Sequence, residues 1–234
     1  MLSNSGYGTR SDVTKAIRKG KVTVNGVVVK DNGFHVTEDD DIIFDGESAV
    51  PKSHLYFMMD KPDGVLTAME DKRLPTIADF IPANLKNLKL SPVGRLDYHT
   101  TGLLIITNDG DLSHRLTSPK YEVPKNYLVT YSGNELGQTQ IDEAASGMTL
   151  TDMDKPVKLA PAKLELLPNN QAILTLYEGK THEVRRMISS WGCEVVELRR
   201  ISIGEVSLPE NSEPGSLIEL SENQIQSLKA ATGL

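Results

Sequence analysis

The stretch that most restricts what this chain can fold into is Val93 to Gly110, VGRLDYHTTGLLIITNDG. Residues 103–107 are an unbroken run of apolar and β-branched residues, which reads as a buried strand. Asn108-Asp109-Gly110 is turn chemistry that ends it. Just ahead of the strand sit Arg95 and Asp97. Charged side chains are not placed beside a core without a partner, so this pair needs an explanation.

The rest of the chain supplies strands and helices to accompany that strand. Near the N-terminus Ser11 is a good N-cap, Val13, Ala16 and Ile17 form an apolar stripe at helical spacing, and Gly20 stops the helix. KVTVNGVVVK follows, two β-branched runs around Asn25-Gly26, which predicts a two-residue type I′ hairpin. A short strand is expected at 41–44. Residues 1–48 thus read as a small helix-plus-hairpin module, which buries little core and leans on its neighbour. Residues 49–54 have linker composition, and 55–234 form the second domain.

Within that domain LYFMMDKPDGVLT opens a strand that breaks at Pro62 and Gly64, and a loop follows with a short helix near 77–80. Helices are expected at 111–116, at 136–145, in THEVRRMISSWG with Thr181 as N-cap and Gly192 as stop, and in SENQIQSLK with a Ser221–Gln224 capping box. Strands are expected at 127–131, in KLELL and AILTLYEG around a Pro168-Asn169-Asn170 turn, and in EVVELRRISIGEVSL. The fold class is α+β: a small N-terminal α/β module, then a domain on a mixed, mainly antiparallel sheet with flanking helices.

Charge decides the partner class only when it is read locally. The whole chain carries 25 Lys and Arg against 32 Asp and Glu, a net charge of −7. Residues 1–30 nevertheless hold Arg10, Lys15, Arg18, Lys19, Lys21 and Lys30 against Asp12 alone, while residues 31–50 hold acids and no Lys or Arg. A basic face on an acidic protein can meet a polyanion, because association follows the local field. A solvated helix with ordinary charges is the alternative. The one cysteine, Cys193, excludes an internal disulfide framework and suits a reducing compartment. No apolar run is long enough to span a bilayer and no signal segment follows Met1. The expectation is a cytoplasmic monomer with no membrane partner.

No GxxxxGK[ST] loop and no GxGxxG after a strand is present, so nucleotide hydrolysis and dinucleotide binding have no support. The five histidines are scattered, and in HEVRR, residues 182–186, Arg186 stands where a second metal ligand would be. No metal site is expected.

Asp97 has two readings. It caps a turn or makes a local ion pair with Arg95, or it is a reactive carboxylate at a strand edge. A nucleophilic Asp must stay ionised in a partly dry pocket. Burial raises a carboxyl pKa by up to ~3–5 units and a close cation lowers it by ~1–3, so the functional reading needs a second basic group from elsewhere. Arg185 and Arg186, after EGKTH, are the source the chain offers; the alternative for them is a solvent-facing basic turn. Tyr127 reads as a half-buried ring whose hydroxyl reaches water. Lys125 lies two residues earlier on the same face, as an RNA or structural contact.

These residues together resemble a known family. GRLDYHTTGLLIITNDG is similar to the RLD motif and following strand of pseudouridine synthases, DKPDGVLT to their upstream element, PKNYLV to their K-x-Y motif, and EGKTHEVRRM…GCEVVELRRISIG to their third motif. SNSGYGTRSDVTKAIRKGKVTVNG resembles an S4 RNA-binding domain. That order in so short a chain resembles the RsuA branch, which modifies ribosomal RNA. The resemblance implies isomerisation of a uridine in RNA to pseudouridine, with small-subunit 16S rRNA as the expected target and no cofactor. It implies that Asp97 triggers glycosidic cleavage as nucleophile or base, that Arg185 pairs with it, and that Tyr127 stacks under the base and is a candidate for removing the C5 proton. Arg95 is expected to fill the gap left by the flipped nucleotide, Leu198 to line the pocket, and Arg10, Arg18, Lys19 and Lys21 to contact RNA. The partner is ribosomal RNA or a ribosomal subunit assembly intermediate.

Three rivals stand beside this reading: a target in large-subunit 23S rRNA, a non-catalytic S4-type RNA-binding or ribosome-assembly protein, and a glycosidase pairing Asp97 with Asp109 or Asp111. The last needs carboxylates ~5–9.5 Å apart, and the 108–110 turn lies too far along the strand. Two departures from the family pattern are visible. The first S4 helix is expected to be shortened, since the chain begins at Met1-Leu2-Ser3, and Glu183 stands where Gln is frequent.

Overall fold

A computed structural model describes residues 2–5, 7–37, 40–49, 54–86, 88–152 and 154–234. Of the expected linker at 49–54, residues 50–53 lie outside the described residues. The chain divides into two compact units, Met1–Leu55 with Ile81–Leu90, and Tyr56–Phe80 with Ser91–Leu234.

The first unit carries helix α1 (Arg10–Arg18) and the strands β1 (Val22–Val24), β2 (Val27–Val28), β3 (Ile42–Phe44) and β4 (Glu47–Ser48). The strands form an antiparallel sheet in the order β2-β1-β3-β4. Asn25 and Gly26 both take positive φ, 51° and 79°, as a type I′ turn requires. Val13, Ile17, Val22, Val24, Val29 and Ile42 share one small apolar cluster. The helix cap is Thr9 rather than Ser11. Its side chain accepts from the Asp12 amide while the Asp12 carboxylate accepts from the Thr9 amide, a reciprocal box that starts the helix one residue before Ser11.

The second unit is built on a nine-stranded mixed sheet. Its elements are β5 (Tyr56–Lys61), β6 (Ser91–Pro92), β7 (Thr101–Thr107), α2 (Gly110–Thr117), β8 (Lys125–Gly133), α3 (Gln138–Ser146), β9 (Thr149–Leu150), β10 (Val157–Lys158), β11 (Lys163–Leu167), β12 (Gln171–Leu176), α4 (Glu183–Ser190), β13 (Cys193–Ile203), β14 (Val206–Ser207), β15 (Leu217–Glu219) and α5 (Glu222–Thr232). The order across the sheet is β11-β12-β8-β13-β7-β5-β15, with β14 beside β13 and β6 beside β7. Among the described strands of this sheet only the β13–β7 pairing is parallel; β9 and β10 form a separate ribbon. The α+β expectation holds.

The run at 103–107 is the buried centre of β7, and Leu103 to Ile106 are fully covered. Asp109 caps α2 by accepting from the Leu112 amide and accepts from the Tyr56 hydroxyl at 2.7 Å, which assigns it to structure. Two apolar clusters flank the sheet. One joins β8, β12 and β13 to α3 and α4; the other joins β5 and β7 to α2 and α5. At the parallel crossing Gly102 has φ +98° and a Cβ there would collide with the Arg200 carbonyl, so the close approach of β7 to β13 needs glycine. Among the described residues no helix is long and apolar enough to cross a membrane.

Candidate active site

The sheet order explains how distant residues meet. β13 lies between β7 and β8, with Arg200 opposite Gly102 on one side and Tyr127 on the other. The loop that leads into β7 carries Arg95 and Asp97, and α4 leads into β13 through a short turn. A cavity of about 300 Å³ opens where these parts converge. Arg95 and Asp97 line it from the loop, Lys125 and Tyr127 from β8, Leu198 and Arg200 from β13, residues 179–182 from the turn before α4, and Glu183 and Val184 from its first turn.

Asp97 is held through its backbone. Its carbonyl accepts from the Thr100 amide at 3.0 Å, and Thr67 both donates to and accepts from Leu96 next to it. Lys61, fully buried at the end of β5, donates to the carbonyls of Pro62, Tyr98 and Thr100 at 3.1, 3.3 and 3.0 Å. Burial lowers its pKa to about 8, although the charges of Asp63 and Asp97 act in the opposite direction. Lys61 therefore clamps the turn that presents Asp97. The DKPDG motif alone gives this lysine no role; the signal it offers is a basic residue closing an apolar strand.

The expected Asp97–Arg185 pair is not made in this structure. Among the described residues the basic side chain within 4 Å of Asp97 is His182, whose Nε2 lies 3.5 Å from Oδ1. That is ion-pair range and long for a hydrogen bond. His182, not Thr181, is the N-cap of α4. It sits in the left-handed region at φ 51°, a conformation histidine tolerates better than most residues, and this turns its ring toward the loop. Arg185 reaches the same loop by its backbone, donating from Nη2 to the His99 carbonyl at 2.7 Å. It lines a neighbouring groove of about 680 Å³, which Leu198 also lines. Arg186 is engaged elsewhere, in a two-point pair with Asp152 at 2.8 and 2.7 Å.

The cavity floor holds two buried cations. Lys125 donates to the Val123 carbonyl at 3.0 Å, and burial together with the nearby Arg200 charge lowers its pKa to about 8. Arg200 donates from Nε to the Leu103 carbonyl at 2.8 Å and lies 6.0 Å from the centre of the Tyr127 ring, with Nη1 3.4 Å from the phenol oxygen. Adjacent arginines on a strand face opposite sides. Arg199 accordingly pairs with buried Asp60 through two hydrogen bonds of 2.9 and 2.7 Å, away from Lys125 and Tyr127. At the rim Glu183 is buried and its carboxyl is pushed up to about 7 by desolvation, despite accepting from the Lys180 amide at 2.8 Å.

Of the sequence candidates in this unit, Asp97, Arg95, Tyr127, Lys125 and Leu198 share one cavity and Arg185 flanks it. The fold adds Lys61, His182, Arg199 and Arg200, to which the sequence alone assigns no role. Arg10, Arg18, Lys19 and Lys21 lie in the first unit and are exposed; Lys21 pairs with Asp45 at 2.7 Å. Among the described residues no cluster of three or more His, Cys, Asp or Glu could hold a metal ion. The cavity thus offers a carboxylate, a phenol and buried cationic donors, a set that can bind a polar ring and move protons at it.

Comparison with known proteins agrees with this chemistry. Residues 55–190 match the family model described as RNA pseudouridylate synthase, and residues 1–42 match the S4 domain. The chain is 40% identical to the ribosomal small subunit pseudouridine synthase A of Haemophilus influenzae, over 94% of each chain. It is 38% identical to an RNA pseudouridine synthase of Bacillus subtilis, covering 97% of this chain and 96% of that one. A crystal structure of a pseudouridylate synthase superposes with a TM-score of 0.69 at 38% identity, covering 97% of this chain and 96% of the other.

Proposed function

The chain belongs to the RNA pseudouridylate synthase family, and from that premise we propose that it converts one uridine of small-subunit 16S ribosomal RNA to pseudouridine. The observation that carries the reading is the convergence of Asp97, Arg95, Tyr127 and Leu198 on one cavity. The small-subunit assignment rests on the similarity to the Haemophilus influenzae enzyme. The RNA is met as free transcript or subunit assembly intermediate, in the cytoplasm, by a monomer.

Asp97 triggers cleavage of the bond between uracil N1 and ribose C1′. Tyr127 stacks against the uracil and its hydroxyl takes the C5 proton once C5 has joined C1′. Arg185 holds the loop that carries Asp97 through its bond to the His99 carbonyl. Arg95, exposed at the cavity, fills the space the nucleotide leaves when it swings out of the RNA; that swing costs a few kcal/mol, least in a loop. Leu198 shapes the pocket wall, and Lys125 sets the floor charge. Residues 1–48 act as the S4-type RNA-binding domain, with Arg10, Arg18, Lys19 and Lys21 on the phosphate backbone, and residues 55–234 as the catalytic domain.

Mapping pseudouridines in ribosomal RNA from cells with and without this gene tests the proposal. Loss of one 16S site is the expected result. Loss of a 23S site instead would overturn the target, and an unchanged map would overturn the function.

A further inference from the structure

Arg200 stands out among the buried charges. It is 3% exposed, no carboxylate pairs with it among the described residues, and its Nη2 has no hydrogen-bond partner there. A buried donor left unpaired costs more than the bond itself would gain, and more still when charged. Folded chains tolerate such a group where something else supplies the acceptor. Thr100, whose hydroxyl is also buried and unpartnered, lines the same cavity. The site therefore has unused hydrogen-bonding capacity where Arg200 meets the cavity behind Tyr127.

We propose that Arg200 is a substrate-contacting residue whose Nη2 donates to a carbonyl oxygen of the target uracil and stabilises the detached ring during isomerisation. The proposal rests on the reading of this cavity as the uridine site. Guanidinium carries donors only, so of the groups on a uracil edge it accepts a partner in O2 or O4 and not in N3–H. When the N1–C1′ bond breaks, its electron pair stays on N1, and the negative charge spreads over N1, O2 and O4. Nothing is oxidised or reduced. The ring turns, C5 bonds to C1′, the C5 proton leaves to Tyr127 and N1 takes up one proton, so the product is an isomer of the substrate. A fixed cationic donor gains most when the carbonyl carries that charge, so Arg200 lowers the barrier more than it tightens binding. The contacts already made fix its direction: Nε is tied to the Leu103 carbonyl and the plane rests by Tyr127. Lys125, the other cation lining the cavity, donates one of its three N–H groups to the Val123 carbonyl.

The test uses the full-length protein and a substrate RNA with uridine, 2-thiouridine or 4-thiouridine at the target position, read as single-turnover rate at saturating RNA. Sulfur accepts hydrogen bonds more weakly than oxygen. Arg200→Met is expected to slow the uridine reaction roughly 100-fold with RNA affinity little changed, and Arg200→Lys to recover part of that loss. One of the two thio substitutions, at whichever carbonyl is held, should slow the wild type and have little further effect in Arg200→Met. Equal slowing of wild type and variant by both thio substitutions would overturn the proposal, as would an Arg200→Met protein, folded by its melting curve, that turns over like wild type. Failure of the uridine-site reading would appear separately, as full activity in Asp97→Asn on the same RNA.

Discussion

The Arg185 guanidinium donates to the main-chain carbonyl of His99 across 2.7 Å, two residues beyond Asp97. One arginine on α4 thereby holds the backbone of the loop on which the proposed reactive acid stands. A charge-assisted bond of this kind contributes about 1.5–3 kcal/mol when well formed.

Arg185→Ala should therefore slow single-turnover conversion by about 10- to 100-fold, with the greater part of the loss in rate at saturating RNA rather than in affinity. Because Arg185 lies near the surface, the urea midpoint should move little. A rate within twofold of wild type would remove Arg185 from the mechanism.

Glu183 gives a pH signature. Its carboxyl is raised from the usual 4.5 to about 7, so between those values the folded chain holds a proton that the unfolded chain has released. Stability then falls as pH rises through that window and is flat above it, a total of up to about 3 kcal/mol. Lys61 and Lys125, lowered from 10.5 to about 8, act with the opposite sign and only above pH 8. Glu183→Gln keeps an acceptor for the Lys180 amide and has no proton to release. Urea denaturation from pH 5 to 8 should show a decline in wild type and a flatter profile in Glu183→Gln.

Buried Asp60 accepts two bonds from Arg199 and one from Ser212 at 2.6 Å. Removing one member of a buried pair strands the other. Asp60→Ala should cost about 3–5 kcal/mol, while Asp60→Leu with Arg199→Met together should cost less than the single change. Chemical denaturation of the three proteins checks both the size and the order.

The Asn25-Gly26 hairpin, the buried strand at 103–107 and the Ser221 cap are legible in the sequence because each rests on local chemistry, and all three are present. The caps at Thr9 and His182 are not, because candidate residues stand close together and only the neighbouring geometry chooses between them. β15 is hidden because three residues, Leu217–Glu219, carry no period of their own and become a strand by pairing with β5. Asp97, Tyr127 and Leu198 are reached through motif resemblance. Lys61 and Arg200 are not, since a charged residue inside a strand reads as surface until the fold closes over it.

The N-terminal unit makes a prediction about salt. Neutralising Arg10, Arg18, Lys19 and Lys21 should reduce the slope of log affinity against log salt by about 0.7 for each RNA phosphate that loses its cation. Among the described residues Arg10, Arg18 and Lys19 make no ion pair, whereas Lys21 is held by Asp45, so the first three should account for most of the change. Filter binding across a salt series would read it, and an unchanged slope would take this unit out of the RNA interface.

The central claim is that the Asp97 carboxylate performs the chemistry in the cavity it shares with Tyr127. Its most direct test is Asp97→Asn, which replaces one oxygen by nitrogen, assayed for pseudouridine formation on 16S RNA beside a binding measurement on the same RNA. The account predicts no detectable product with binding within about twofold of wild type, a loss of at least ~10⁴ in rate if the residue is the nucleophile. Product formation at an appreciable fraction of the wild-type rate would contradict it.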